Sequence, residues 1–202
     1  MDVVSIHSPS ALSMAREVIH RGGVVCTPTE TVYGLVCSTR PASVERLMRI
    51  KGRPSNKPFA LFASSWRRML EENIETCLAA DILAGAFWPG PVTLVVGASA
   101  SCPGAYAGSI GVRCPGHLFV QELLRECGGL LVNTSFNRSG EPECRALDLA
   151  SDLLEEVDLA VDGGVLPLRL PSTVVDCRTD PPQILRHGEI AEEKIRRALM
   201  RR

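Results

Sequence analysis

The sequence predicts a single α/β domain in which helices pack against a mixed sheet. Short apolar runs, typical of buried strands, alternate in irregular order with longer segments whose apolar residues follow the helical repeat. The 202 residues, 45% of them hydrophobic, suffice for one sizeable core. The sequence contains no repeat, low-complexity tract or linker, so residues 1–202 are expected to form one domain.

The helical repeat predicts the following helices. The first begins after a cap at Ser10 and runs to Ile19, and Gly22 and Gly23 end it. The second begins at Pro41, because proline is favoured in the first turn of a helix, and it ends at a cationic stretch. Further helices are expected near residues 65–72, 76–87, 117–126, 145–155 and 189–200.

Apolar runs between these helices predict the strands. A W-P-G-P turn at residues 88–91 breaks the chain before one of them. The predicted strands span residues 24–26, 59–63, 92–96, 109–113, 130–135, 158–161 and 173–176.

Charge and cysteine content narrow the class of protein. The 22 Lys and Arg nearly balance 23 Asp and Glu, so any role in nucleic-acid binding must rest on a local patch. The eight cysteines show no C-x-x-C spacing and the four histidines lie far apart, so no zinc site is expected. The chain shows no signal peptide and no apolar stretch of the ~18–20 residues that a membrane span needs. We therefore expect a cytoplasmic protein with reduced thiols.

The segment P-T-E-T-V-Y-G at 28–34 could contact a ligand. If it is extended, Thr29, Thr31 and Tyr33 point to one side, and Glu30 and Val32 point to the other. Three hydroxyl groups on one face would suit a small polar ligand. The alternative is an amphipathic strand whose polar face is in water.

The segment K-G-R-P-S-N-K at 51–57 carries three cationic side chains before an apolar strand. Pro54 favours extended backbone at Arg53, so Lys51 and Arg53 are expected to project to the same side. Together with Lys57 they could bind the oxygens of a polyphosphate. The alternative is a solvated loop. The sequence has no glycine-rich phosphate-binding motif, so side chains would have to bind any nucleotide.

Three further segments offer polar groups at strand ends. Ser109 and Arg113 share one face of the strand 109–113, and Arg113 requires either an internal carboxylate or an anionic ligand. Ser135 and Asn137 could face a pocket while Phe136 turns away, or they could simply form a turn. Candidate residues near other strand ends are Ser172, Thr173 and Arg186.

Taken together and in this order, the motifs resemble the YrdC-like family. The matching motifs are P-T-E-T-V-Y-G-L, K-G-R-P, F-W-P-G-P-V-T-L, G-V-R-C-P, T-S-x-N-x-S-G, S-T-V-V-D and I-L-R-x-G. The resemblance covers roughly residues 10–190 and is closest to the short, single-domain form. It implies a twisted, mostly open sheet around a concave, positively lined cavity.

The resemblance also implies an activity, that of a threonylcarbamoyl-AMP synthase. L-threonine, bicarbonate or CO2, and ATP would give threonylcarbamoyl-AMP and pyrophosphate, for the N6-threonylcarbamoyladenosine of tRNA. Mg2+ would arrive with ATP, because no carboxylate cage is visible in the sequence. The implied protein partners are downstream threonylcarbamoyl-transfer proteins. The tRNA could also be bound directly, and no membrane association is expected.

The motifs also imply roles for individual residues. ATP would be bound by Lys51, Arg53, Lys57, Ser109, Asn137, Arg145 and Arg186, with Lys51 and Arg53 acting in catalysis. Threonine would be bound by Thr31, Tyr33, Arg113, Ser135 and Ser172, with Arg113 pairing with its carboxylate.

Three positions depart from the family pattern. Phe136 replaces the usual Ala, Arg145 stands where a small hydroxyl residue is common, and Phe62 offers only packing near the threonine site. These departures bear on the substrate and not on the family. Two alternatives to the synthase stay open. One is a non-catalytic RNA-binding protein of the same fold, and the other is a carbamoyl-transfer paralogue of the hydrogenase-maturation type.

Overall fold

The computed structural model describes residues 2–52, 59–138, 140–141, 143–147, 151–167 and 170–200. The helices in these ranges are α1 (Ala11–His20), α2 (Pro41–Lys51), α3 (Trp66–Leu70), α4 (Leu78–Phe87), α5 (Leu118–Glu126), α6 (Asp152–Glu155) and α7 (Glu192–Met200). The strands are β1 (Asp2–Ser5), β2 (Val24–Thr27), β3 (Gly34–Cys37), β4 (Ala60–Ala63), β5 (Ile74–Glu75), β6 (Val92–Ala98), β7 (Ser109–Arg113), β8 (Leu130–Ser135), β9 (Leu159–Asp162), β10 (Thr173–Asp176) and β11 (Gln183–Arg186).

All the strands belong to one mixed sheet in the order β1-β9-β2-β3-β8-β4-β7-β6-β10-β11, with β5 paired to β6. Parallel pairs such as β4 with β7 stand beside antiparallel pairs such as β6 with β7. The two ends of this order, β1 and β11, are not joined, so the sheet is open. The predicted α/β fold with an open mixed sheet is confirmed.

The two faces of the sheet are covered to different extents. On one face, alternate strand residues such as Leu61, Leu94 and Val112 pack in a large core with α2, α4 and α7. On the other face, α1 and α5 cover only the half of the sheet around β9, β2, β3 and β8. The strands β4, β7, β6 and β10 therefore present alternate side chains to an uncovered face.

Most predicted elements are present, but the helix predicted at 145–155 is wrong. In the described parts of this range, 145–147 and 151–155, only α6 is helical. The backbone at its start bonds elsewhere, because Leu166 N–H donates to the Arg145 carbonyl and Tyr33 N–H donates to the carbonyl of the preceding residue, Cys144. The sequence analysis missed the short strands β1, β3, β5 and β11. Among the described residues, no helix is long and apolar enough to cross a membrane.

Candidate active site

A cavity of about 320 Å³ lies on the uncovered face of the sheet. Its floor consists of strand residues at alternate positions, because successive side chains on a strand point to opposite faces. Small residues in the middle of this floor leave the space for a ligand. The floor residues include Ala60, Thr93, Val95, Gly111, Asn133 and Ser135.

Arg113, at the end of β7, is the most buried cation of the cavity lining, with only 5% of its surface exposed. Its Nε donates to the Gly90 carbonyl at 3.1 Å, and both terminal nitrogens lie 3.3 Å from the Thr31 hydroxyl. Its Nη2 forms an ion pair with Glu30 at 2.7 Å. The carbon of the guanidinium lies 5.7 Å from the centre of the Phe62 ring. The side chain is therefore fixed from several directions.

Glu30 is the internal carboxylate that the sequence analysis left open as an alternative for Arg113. Its Oε1 also accepts the Gly116 N–H at 2.7 Å. Burial alone would raise the pKa of Glu30, but Arg113 and the Gly116 amide outweigh it and hold the pKa below its ordinary value. Glu30 is thus ionised and anchors one side of the guanidinium.

Residues 28–33 form a bend and not the extended segment considered in the sequence analysis. Thr29 and Thr31 do lie on the same side, with their hydroxyl oxygens 3.0 Å apart. The expected alternation fails, however, because Glu30 and Thr31 contact the same guanidinium. The Thr29 hydroxyl accepts the Thr31 and Val32 N–H groups, which closes the bend.

Arg186 is a second cation in the lining, on β11. It donates to the carbonyl and hydroxyl oxygens of Ser172, both at 3.1 Å, and it pairs with Glu143 at 3.3 Å. Burial lowers the pKa of Arg186 and the nearby charge of Arg113 lowers it further, while Glu143 acts in the opposite direction. Two guanidinium groups that repel each other thus face one cavity, an arrangement that an anion between them would stabilise.

Lys51 connects the end of α2 to the end of β8 at the edge of the cavity. Its side chain is buried, and Nζ donates to the Ser135 carbonyl at 2.7 Å and to the Asn137 side-chain oxygen at 2.8 Å. The Ser135 hydroxyl donates to the same Asn137 oxygen at 2.6 Å. The structure therefore brings together Lys51 and Asn137, which the sequence analysis assigned to ATP, and Ser135, which it assigned to threonine. Arg53 and Lys57 lie outside the described residues.

The remaining predicted residues differ in their placement. Ser109 and Phe62 line the cavity, while Arg145 is exposed outside it. Tyr33 reaches the lining, but its hydroxyl group accepts the Gly163 N–H at 2.9 Å and donates to the Gly164 carbonyl at 2.8 Å. Burial raises the pKa of this hydroxyl to about 12, so it stays protonated.

Phe136 faces away from the cavity, as alternation predicted, and it packs in the core with 1% of its surface exposed. The large ring therefore does not narrow the cavity.

Sequence reasoning named Thr29 but missed other lining residues, including Thr93, Asn133 and Glu143. Alternation could have found Asn133, because it lies two residues before Ser135 on the same strand. The same rule applies to Thr93, which the register of β6 and β7 places beside Arg113. Glu143 lies in a loop and carried no such signal.

The fold and the cavity define a class of protein, an α/β protein with a cavity lined by two arginines, Arg113 and Arg186, on the open face of its sheet. The chain belongs to the Sua5/YciO/YrdC family, because the family model described as "Telomere recombination" matches residues 17–188. The resemblance to the YrdC-like family is thereby confirmed.

Relatives in this family have named activities. The chain is 36% identical over 186 residues to a threonylcarbamoyl-AMP synthase of Vibrio vulnificus strain YJ016, which covers 89% of this chain and 99% of the relative. The crystal structure of Pyrococcus abyssi Sua5 complexed with L-threonine has a TM-score of 0.87 and 30% identity, over 98% of this chain and 60% of the other. Escherichia coli YciO shares the fold, with a TM-score of 0.82 and 24% identity over 96% of this chain and 97% of the other.

Proposed function

We propose that this chain is a threonylcarbamoyl-AMP synthase acting in the pathway to the N6-threonylcarbamoyladenosine of tRNA. It would convert L-threonine, bicarbonate or CO2, and ATP into threonylcarbamoyl-AMP and pyrophosphate. The buried Arg113 on the cavity floor carries the proposal, in a chain that aligns with nearly the whole length of a relative with that name.

Threonine would bind at the end of the cavity that contains Arg113 and Thr31. Nη1 of Arg113 and the hydroxyl of Thr31 lie side by side, so both can donate to one carboxylate group. Ser172 stands across the floor beside Thr93, with their hydroxyl oxygens 2.8 Å apart. The buried position of these groups strengthens their interaction with a charged ligand, since little water competes for them.

The triphosphate of ATP would lie at the edge where Lys51 meets Ser135 and Asn137. Arg53 and Lys57 follow Lys51 directly in the sequence and would add positive charge. Ser109, Arg145 and Arg186 are the further candidates for contacts with the nucleotide. Mg2+ would enter with the phosphates. Among the described residues, no group of His, Cys, Asp and Glu is arranged to hold a metal by itself.

The chemistry requires two bond-forming steps. The threonine amine attacks the carbon of bicarbonate, and water leaves as the carbamate forms. One carbamate oxygen then attacks the α-phosphorus of ATP, and pyrophosphate leaves with the electron pair of the broken P–O bond. Positioning and neutralisation of phosphate charge can drive both steps, so a nucleophilic Cys or His is not needed.

The wider assignments of tRNA contact, downstream transfer proteins and cytoplasmic location follow from this function. The product is a reactive mixed anhydride, so a transfer protein must consume it. A direct role for tRNA would require positive charge near the cavity mouth.

The test is pyrophosphate release from ATP and bicarbonate, with and without L-threonine, with L-serine for comparison. Threonine-dependent release supports the synthase. Turnover of carbamoyl phosphate that ignores threonine would instead support the hydrogenase-maturation type of carbamoyl transfer. Tight, salt-sensitive tRNA binding without ATP turnover would support a non-catalytic RNA-binding protein.

The variant Arg53→Ala tests the proposed phosphate site. We expect the rate of pyrophosphate release to fall by about a hundredfold or more, because the variant lacks a cation that would stabilise the negative charge of the phosphates in the transition state. Arg49→Ala, which changes an exposed arginine of α2, is the matched control. A normal rate in Arg53→Ala would contradict the assignment.

A further inference from the structure

Asn133 is a polar residue of the cavity that the proposed function has not used. It lies on β8, lines the cavity and is 92% buried, since only 8% of its surface is exposed. Its side-chain nitrogen, Nδ2, is buried and has no hydrogen-bond partner among the described residues. A buried amide N–H without a partner is rare in folded proteins and calls for an explanation.

The neighbouring polar groups of the cavity already have partners within the protein. Thr31 bonds to Arg113, Ser135 to Asn137, and Ser172 to Thr93. Arg186 pairs with Glu143. The Asn133 amide is therefore a donor held in the cavity without an internal acceptor, at a cost to the stability of the free protein.

The register of the sheet fixes where this donor lies. Asn133 pairs with Ala60, and Ala60 pairs with Gly111, so the floor beside the amide carries only a methyl group and a hydrogen. Along the strand direction, the row that contains Arg113 lies about 6–7 Å to one side. The row that contains Ser135 lies the same distance to the other side.

The row formed by Asn133, Ala60 and Gly111 thus lies between the proposed site for the threonine carboxylate and the proposed site for the phosphates. The group that joins these two parts of the product is the carbamoyl group. It carries a carbonyl oxygen that does not attack phosphorus, and this oxygen needs a donor.

We infer that the Asn133 side-chain N–H binds the non-attacking oxygen of the carbamate, and so acts as a positioning and specificity residue for the bicarbonate-derived group. The inference rests on the proposed function. The amide directs the other carbamate oxygen toward the α-phosphorus and stabilises the carbonyl as it forms. The unpaired amide of the free protein is preorganised for this contact, which Ala60 and Gly111 leave room to make.

The test compares wild type with Asn133→Ala and Asn133→Asp in threonine-dependent pyrophosphate release, at varied bicarbonate and at varied threonine. We expect Asn133→Ala to lower kcat/KM for bicarbonate by about tenfold or more, while KM for threonine changes less than about threefold. Asn133→Asp, which places a negative charge against the carbamate, should lose more. Asn73→Ala, which removes an exposed amide bonded to Ser101, is the matched control.

Thermal unfolding of the ligand-free variants separates this role from a structural one. Removing an amide that lacks a partner should leave the Tm of Asn133→Ala unchanged or raise it. A lowered Tm with an equal loss for every substrate would overturn the inference in favour of a structural role. If Asn133→Ala is active and its bicarbonate dependence equals that of wild type, the inference about Asn133 is overturned and the proposed function stands. If wild type itself shows no threonine-dependent release, the proposed function is overturned as well.

Discussion

Arg113 shows how one residue can be both part of the fold and part of the site. Its charge is buried among Glu30, Thr31 and the Gly90 carbonyl, and these partners offset the cost of removing the guanidinium from water. A planar group with several donors can serve them and still present Nη1 to a ligand. Lysine has neither the shape nor the number of donors.

The variant Arg113→Lys should therefore raise KM for threonine by about ten- to hundredfold, the equivalent of one or two hydrogen bonds to a charged group. The measurement is the threonine dependence of pyrophosphate release. Arg16→Lys, in an exposed ion pair with Glu126, should leave it unchanged. Equal KM values for Arg113→Lys and wild type would remove Arg113 from the threonine site.

The lowered pKa of Glu30 predicts that the free energy of unfolding depends on pH. Its pKa is held below its ordinary value of 4.5 in the folded protein, so its contribution is fully present above that value. The contribution is lost as the pH falls through the lowered folded pKa. The difference in free energy of unfolding between wild type and Glu30→Gln should thus be constant near neutral pH and shrink in acid below pH 4.5. Urea titrations at several pH values measure it, and a difference that grows toward acid would refute the assignment.

At the scale of elements, the bend at residues 28–33 is tied to the end of β9. The Tyr33 hydroxyl bonds to the backbone of Gly163 and Gly164, and the Tyr33 backbone bonds to Cys144 and Phe136. This connection fixes the bend that carries Thr31. Tyr33 therefore supports the site by holding this bend in place.

Tyr33→Phe should lower the free energy of unfolding by about 1–3 kcal/mol, because it removes two partly buried hydrogen bonds to Gly163 and Gly164, each of which contributes about 0.5–1.5 kcal/mol. Denaturant unfolding measures the loss. The other tyrosine of the chain, Tyr106, is 42% exposed, so Tyr106→Phe is the control and should change little. A Tyr33→Phe protein as stable as wild type would show that water replaces the hydroxyl group.

The elements that the sequence predicted well are those with a strong local signal. The strands β7, β8 and β10 begin and end at the predicted residues. The missed strands β1 and β11 are four-residue edge strands with mostly exposed residues, so no burial pattern marks them. The false helix at 145–155 failed because its first residues bond to distant parts of the chain. Local propensity cannot register such tertiary bonds.

The site was predictable in composition but not in pairing. Periodicity placed Ser109 and Arg113 on one face, and the family resemblance named Lys51, Ser135 and Asn137 as site residues. The choice between an internal carboxylate and a ligand for Arg113 stayed open because Glu30 reaches it only through the bend. Whether a buried amide such as Asn133 has a partner depends on atomic positions, which no sequence pattern specifies.

For the whole molecule, the cavity exists because no helix in the described part of the chain covers one half of one sheet face. Gly111 lines its floor, and a Cβ there would meet Thr93 at 3.4 Å and Ala60 at 3.5 Å, which are ordinary contact distances. Gly111→Ala should therefore fold, with stability equal to wild type or higher by about 0.5–1 kcal/mol. The added methyl group should raise KM for threonine or ATP about tenfold.

The matched control is Gly85→Ala on the exposed side of α4, where a Cβ would meet no atom within 4 Å. It should raise stability by about 1 kcal/mol without changing KM. Substrate kinetics and thermal unfolding of the two variants are compared directly. If Gly111→Ala kept both KM values, the substrates would have to bind elsewhere.

The alternation along β7 also determines which genetic changes the protein can survive. Ile110 and Val112 belong to the core, while Ser109, Gly111 and Arg113 face the cavity. Deletion of one residue within this strand would turn the arginine into the hydrocarbon interior and a valine into the site. Folding and catalysis would fail together, so selection for a stable protein also preserves the spacing of the chemistry. Substitutions at Ser109 or Gly111, by contrast, alter the cavity and leave the core residues Ile110 and Val112 in place.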